Sequence, residues 1–406
     1  MSSMSSSFDP GSYAYLIVHY HKTGHHLSRQ LRDFLVAGTG NDVPPTSDGR
    51  DNAFRMRSHE PNTGCPRALF LHPGVVSVQA APDFFCDPSV LADYLLRNKG
   101  DGRDDDYDRE GANVGKKRGV KVIHLVRNPF SLAISNWIYH AQYPTPESWV
   151  KHVDPCTEEY WSDGDDVGPR TSYRDLIRPT LLSGNHPIMR HDDFDALRDV
   201  CKSLYRTSAE SKVSGREWSY YAHLRHLDPE SALMMATTHM MGQGVTGGDI
   251  LRMASNIVKL RQVTILEDRA RLSRHVLSPL EDRTDRTIQV MTLSMEEFTR
   301  DPYVTTMRFL DFALGDSSSR ETKERIASEY ESSYRDKVNG GDEHMTNDRW
   351  ITNGKEHVGE DMNIAERKEG LKRFLREDEL FGRVLGNIER LIEDALVESG
   401  GSGTLH

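Results

Sequence analysis

Nowhere in its 406 residues does the chain hold an unbroken apolar run of the ~18 residues that a membrane-crossing helix needs. The opening MSSMSSSFDPGS has neither the basic block nor the apolar block of a secretory leader. The expectation is a soluble, cytoplasmic protein that does not work in a membrane. Cysteine is scarce as well. Cys65, Cys86, Cys156 and Cys201 are scattered without CxxC spacing, which speaks against a thiolate zinc site and fits inert thiols in a reducing compartment. Positive charge is in deficit, with 51 Lys and Arg against 62 Asp and Glu and a net charge of −11. A general nucleic-acid or anionic-membrane partner is therefore not expected, and any basic site must be local. No internal repeat is evident.

What the sequence does contain is a pair of strand-to-helix corners. In YLIVHYHKTGHHLSRQL, residues Tyr15 to Leu31, the apolar run Tyr15 to Val18 suits a buried strand, and Leu27, Leu31 and Phe34-Leu35 then recur at helical spacing. Lys22-Thr23-Gly24 falls in the corner between them. Free backbone N–H groups at a helix start favour an anion, Gly24 permits a tight backbone, and Lys22 adds a mobile positive charge. The corner reads as a phosphate or sulfate cradle. It is not a Walker A loop, whose glycine and lysine come in the opposite order. The histidines His19, His21, His25 and His26 invite a metal reading, but their spacing across a strand and a turn points them in different directions. Ordinary polar residues at a corner are the plainer alternative.

The second corner is VKVIHLVRNPFSLAISNWIYH, Val120 to His140. Val120 to Val126 reads as a fully buried strand, Pro129 suits a first helical turn, and Leu132, Ile134, Trp137 and Ile138 give a helix its apolar face. Arg127 stands at the handover, with a planar fork suited to a phosphate dianion, and Ser135 lies about two turns further on.

Taken together, the Lys22-Thr23-Gly24 loop after one strand, and Arg127-Asn128-Pro129-Phe130 with Ser135 and Tyr139-His140 after another, resemble the sulfotransferases that use 3′-phosphoadenosine 5′-phosphosulfate (PAPS). VMTLSMEEFTRDPYVTTMRFLDFAL, Val290 to Leu314, is similar to a late strand, Glu, Asp-Pro and amphipathic helix of the same family. The resemblance covers about half of the chain. It implies an α/β fold, P-loop-like, with a mainly parallel sheet flanked by helices and a large helical insertion. It implies that Lys22, Thr23, Gly24, His25 and His26 hold the 5′-phosphosulfate, that Arg127 and Ser135 hold the 3′-phosphate, and that Lys355 in NGKEHVG contacts the nucleotide. PAPS would be the co-substrate and 3′,5′-adenosine bisphosphate (PAP) the product, with no metal. Two departures stand out. His25-His26 replaces small hydroxyl residues, and Gln79 in VSVQAAPDFF stands where related enzymes carry a glutamate base. The base is then left among His72, His25 or His26, and Asp83.

The strands expected at Tyr15, Arg67, Val75, Val120 and Thr287 alternate with helices, one of them over Asp87 to Gly100. A single domain over 1–406 is expected, with 155–285 a mostly helical acceptor-binding insertion and with 1–11 and 399–406 flexible. Met234, Met235, Met240 and Met241 read as core or pocket lining. The acidic run Asp101 to Glu110 reads as a solvated excursion. The acceptor expected is a small or medium-sized hydroxyl or amine compound. A polysaccharide acceptor, a P-loop-like nucleotide kinase and a catalytically silent nucleotide-binding protein are the alternatives.

Overall fold

A computed structural model describes residues 13–20, 23, 25–38, 75–79, 119–142, 181–182, 187–210, 223–224, 227–241, 249–277, 287–339 and 364–401. Four strands, β1 (Tyr13–His19), β2 (Val75–Gln79), β3 (Gly119–Val126) and β4 (Thr287–Ser294), form one sheet in the order β2-β1-β3-β4. All three pairings are parallel, with Val18 opposite His124 and Val126 opposite Ser294. The strand expected at Arg67 and the helix expected over Asp87 to Gly100 lie outside the described residues; the other four strands form where the apolar runs placed them.

β3 is buried at every position, as a parallel strand covered on both faces must be. Its side chains alternate between two layers. Val120, Val122 and Val126 join Leu16 and Val18 of β1 in one apolar cluster, while Ile123 and Leu125 join Tyr15, Ile17, Met291 and Leu293 in the other. Helix α1 (His25–Gly38) covers the second face with two helices introduced below. Helix α2 (Pro129–Gln142) covers the first, helped by α4 (Pro229–Met241) and α5 (Asp249–Leu277), with α3 (His191–Glu210) packed beside them. The result is a mostly helical α/β fold built on a small parallel sheet. Met235, Met240 and Met241 are buried and Met234 packs against the same core, so the methionines of α4 are packing residues.

After β4 the chain makes α6 (Met295–Arg300) and α7 (Pro302–Leu314), then α8 (Arg320–Asn339), α9 (Ile364–Glu377) and α10 (Glu379–Glu398). The α7 and α8 pair completes the second layer, and α9 and α10 complete the first. Local chemistry starts three of these helices. Ser294 and Glu297 form a reciprocal capping box at α6, Asp301 caps α7 with Pro302 at its first position, and Asp378 caps α10. Lys121, 3% exposed on β3, donates to the carbonyls of Phe312 and Ala313 at the C-terminal end of α7, where the helix dipole also favours a cation.

The tail expected to be flexible from 399 is held over its first three residues. Ser399 Oγ accepts from Thr292 N at 2.8 Å, Gly400 takes a left-handed φ of 74°, and Gly401 lies against the Glu297–Arg308 pair. A Cβ on Gly401 would fall 2.5 Å from Glu297 Oε1, so the close approach requires glycine. Among the described residues no helix is long and apolar enough to cross a membrane.

Candidate functional site

The order β2-β1-β3-β4 means that the chain leaves β1 for a neighbour on one side and returns as β3 on the other. The reversal opens between the carboxyl ends of β1 and β3, the place where open α/β sheets bind ligands. Thr23 follows the end of β1 and Arg127 follows the end of β3. Two motifs about a hundred residues apart in sequence thus end adjacent strands, on either side of this point.

Among the described residues the first corner is held by neutral groups. Thr23 is fully buried, and its Oγ accepts from Tyr20 N at 2.6 Å and donates to Tyr20 O at 3.0 Å, while Thr23 N donates to the same carbonyl. Its hydroxyl therefore fixes the turn. Beneath it, Tyr20 Oη accepts from Asn256 Nδ2 of α5 at 2.7 Å and lies 2.7 Å from His124 Nε2 of β3. The direction of that contact follows the tautomer, Oη donating where the imidazole proton sits on Nδ1 and accepting where it sits on Nε2. That Nδ1 has no hydrogen-bond partner among the described residues. Burial alone pulls the His124 pKa down from 6.5 to about 3, so the ring is neutral. His25 and His26 are the first two residues of α1. Lys22, Gly24, His72, Asp83 and Lys355 lie outside the described residues.

The second corner is charged. Arg127 Nε lies 3.9 Å from Glu296 Oε1, their side chains 19% and 17% exposed. Burial pulls the Arg127 pKa down against the pull of Glu296, and burial pushes the Glu296 pKa up against the pull of Arg127. Asn128 N donates to the same Glu296 oxygen at 3.2 Å. The Asn128 side chain does two further jobs. Its Oδ1 accepts from Phe130 N and Ser131 N to cap α2, and its Nδ2 donates to Glu389 Oε1 of α10 at 2.6 Å. Glu389 in turn takes both arms of Arg376, whose guanidinium stacks 4.2 Å from the Phe130 ring. Asn128-Pro129-Phe130 is thus a cap, a first-turn proline and a buried ring on which the C-terminal helices close. Ser135 is partly exposed on α2, two turns in from the cap.

Of the anion-binding candidates, Thr23, Arg127 and Ser135 are described with their side chains; Thr23 and Arg127 follow adjacent strands at one end of the sheet, and Ser135 lies two turns into α2. Tyr20, His124, Asn256, Glu389 and Arg376 were missed. Glu296 had a signal, since it follows β4 as Arg127 follows β3. Asn256, Glu389 and Arg376 had none, because only the packing of distant helices brings them here. Among the described residues no group of three or more His, Cys, Asp or Glu is placed to hold a metal ion. No family model matches this chain, and no curated protein or solved structure matches it either.

Proposed function

We propose that the chain is a PAPS-dependent sulfotransferase of P-loop-like architecture. The supporting observation is the placement of Thr23 and Arg127 at the carboxyl ends of adjacent strands flanking the topological reversal. On this reading Lys22 and the backbone from Gly24 into the start of α1, with His25 and His26, hold the 5′-phosphosulfate, and Thr23 shapes the loop from behind. Arg127 and Ser135 receive the 3′-phosphate, and Lys355 contacts the nucleotide. The donor set suits an anion, since it offers a lysine, an arginine, a hydroxyl and a helix start.

The reaction is an in-line transfer. The acceptor hydroxyl or amine gives its proton to a base, His72, His25, His26 or Asp83, as its oxygen or nitrogen bonds to sulfur. The bond from sulfur to the phosphate oxygen breaks with its electron pair, and PAP leaves. Lys22 faces the growing charge on that oxygen, so its contribution belongs to the transition state. The 155–285 segment, which carries α3, α4 and α5, is the proposed acceptor-binding insertion. A small or medium-sized alcohol or amine is the proposed acceptor.

The test is a thermal-shift titration with PAP against ATP with Mg²⁺. A ligand at a hundred times its dissociation constant adds about 2.7 kcal/mol of stability. PAP is expected to stabilise the chain, and Arg127→Ala to weaken it as a binder by about 1.5–3 kcal/mol. Stabilisation by ATP with Mg²⁺ alone would replace the sulfotransferase reading with the nucleotide-kinase one.

A further inference from the structure

Two consecutive glutamates open α6, and their side chains do different work. Glu297 is closed on all sides. It completes the capping box with Ser294 and takes both arms of Arg308 from α7 at 2.8 Å. Glu296 leaves the helix about a hundred degrees away and reaches the β3 corner, where Oε1 accepts from Asn128 N and lies 3.9 Å from Arg127. At that distance the pair is an ionic contact without a hydrogen bond. The other Glu296 oxygen, Oε2, is shut off from solvent and has no hydrogen-bond partner among the described residues.

We propose that Glu296 is the residue that regulates anion binding at Arg127, so that a phosphate dianion is accepted there only as the Glu296 carboxylate takes up a proton. The proposal rests on the reading of Arg127 as a phosphate ligand. Two anions facing one half-buried guanidinium repel each other, and a carboxyl group relieves the repulsion by binding a proton. Oε2 is the atom that takes it, because Oε1 is held as an acceptor by the Asn128 amide. Burial already pushes the Glu296 pKa up, which lowers the cost of that step.

The other charges around Glu296 do not take its place. Arg127 faces it from the β3 corner and Lys372 from α9, and both favour its ionised form. Arg376 and Glu389, on the far side of Asn128, are closed on each other in a two-armed pair. Glu297 is closed on Arg308 in the same way, and Arg300 at the end of α6 is exposed.

The experiment measures PAP and adenosine 5′-phosphate affinities by calorimetry from pH 6 to 8.5, in the parent chain and in Glu296→Gln, Arg127→Ala serving as the control for the site. Glutamine keeps an acceptor for the Asn128 amide and removes the charge. At pH 8 Glu296→Gln is expected to bind PAP at least about tenfold more tightly than the parent, with the advantage shrinking as pH falls, by up to about tenfold per unit for one linked proton. Adenosine 5′-phosphate, which lacks the 3′-phosphate, is expected to show no such difference. The parent alone supplies a second readout that needs no variant. At pH 8, where phosphate is already a dianion, calorimetry in buffers of different ionisation enthalpy should record proton uptake with PAP and none with adenosine 5′-phosphate. PAP binding that is lost in Arg127→Ala, yet equal in parent and Glu296→Gln and without proton uptake, overturns the role of Glu296 and leaves the sulfotransferase reading standing. Absence of PAP binding in the parent and in Glu296→Gln, or undiminished binding in Arg127→Ala, overturns the nucleotide reading and this inference with it.

Discussion

At the end of β1 the corner is tied together by neutral groups, the Thr23 hydroxyl, the Tyr20 phenol, the His124 imidazole and the Asn256 amide. One strand away, at the end of β3, four charged side chains surround a single asparagine. The two corners share an architecture and differ in what holds them. The neutral one is assembled by β1, β3 and α5 and buries each partner in the core. The charged one depends on α9 and α10, which bring Arg376 and Glu389 from the far end of the chain. A charged group left alone inside a protein costs far more than a neutral one, so the β3 corner should be the more fragile and the β1 corner the more tolerant.

The largest effect is accordingly expected at Glu389. Its carboxylate is 9% exposed and accepts from Asn128 Nδ2 and from both arms of Arg376, which is itself 42% exposed. Glu389→Ala leaves a buried amide without its partner and strips the guanidinium of its counter-ion, though water can reach the arginine. A loss of about 3 kcal/mol is expected from the midpoint of urea unfolding. Glu389→Gln, which keeps an acceptor for Asn128, should lose less. Were Glu389→Ala no more damaging than a substitution at Thr23, the contrast between the corners would be false.

The second test uses pH. The folded His124 pKa of about 3 lies far below its ordinary 6.5. Below pH 6.5 the unfolded chain therefore takes up a proton that the folded chain refuses. The stability that His124 contributes is complete above 6.5 and declines as pH falls, by about 1.4 kcal/mol per unit until pH nears 3. Between pH 6.5 and 5 the parent should lose about 2 kcal/mol more than His124→Gln, read from urea midpoints at each pH. Equal acid sensitivity in the two proteins would mean that the imidazole already carries a proton in the fold, and the corner would not be neutral.

Much of this geometry could be read from the sequence, for a physical reason. A parallel strand buried on both faces needs a continuous apolar run, and Tyr15–Val18 and Val120–Val126 supply two that are hard to mistake. The residues that follow such parallel strands lie at one end of the sheet, so the apolar runs alone place Thr23 and Arg127 at the same end. The Asp301-Pro302 start of α7 was equally legible, since a cap and a first-turn proline are local. The closure of the charged corner was not. Glu389 and Arg376 sit on amphipathic helices whose heptad-like pattern specifies a buried face and says nothing of which polar residue at its edge will meet Asn128. His124 was read as one more member of a buried strand, and only the contact with Tyr20 and Asn256 shows it as part of a polar network.

The smallest effect is expected at Thr23, and it is the finest probe of the comparison. Thr23→Ala removes the hydroxyl that accepts from Tyr20 N and donates to Tyr20 O, but the backbone bond from Thr23 N to the same carbonyl stays. No charge is uncovered. The cost should be about 1 kcal/mol, the value of a net neutral hydrogen bond, and Thr23→Ser should recover most of it because the hydroxyl returns and one methyl group is lost. The measurement is a pair of urea unfolding curves beside a PAP titration of each variant. Lower stability in Thr23→Ala with PAP affinity little changed would show a hydroxyl that shapes the turn from inside the protein. Unchanged stability with markedly weaker PAP binding would place that hydroxyl on the ligand, and the β1 corner would then have to be redrawn as a second contact surface for the anion, with Thr23 turned away from Tyr20.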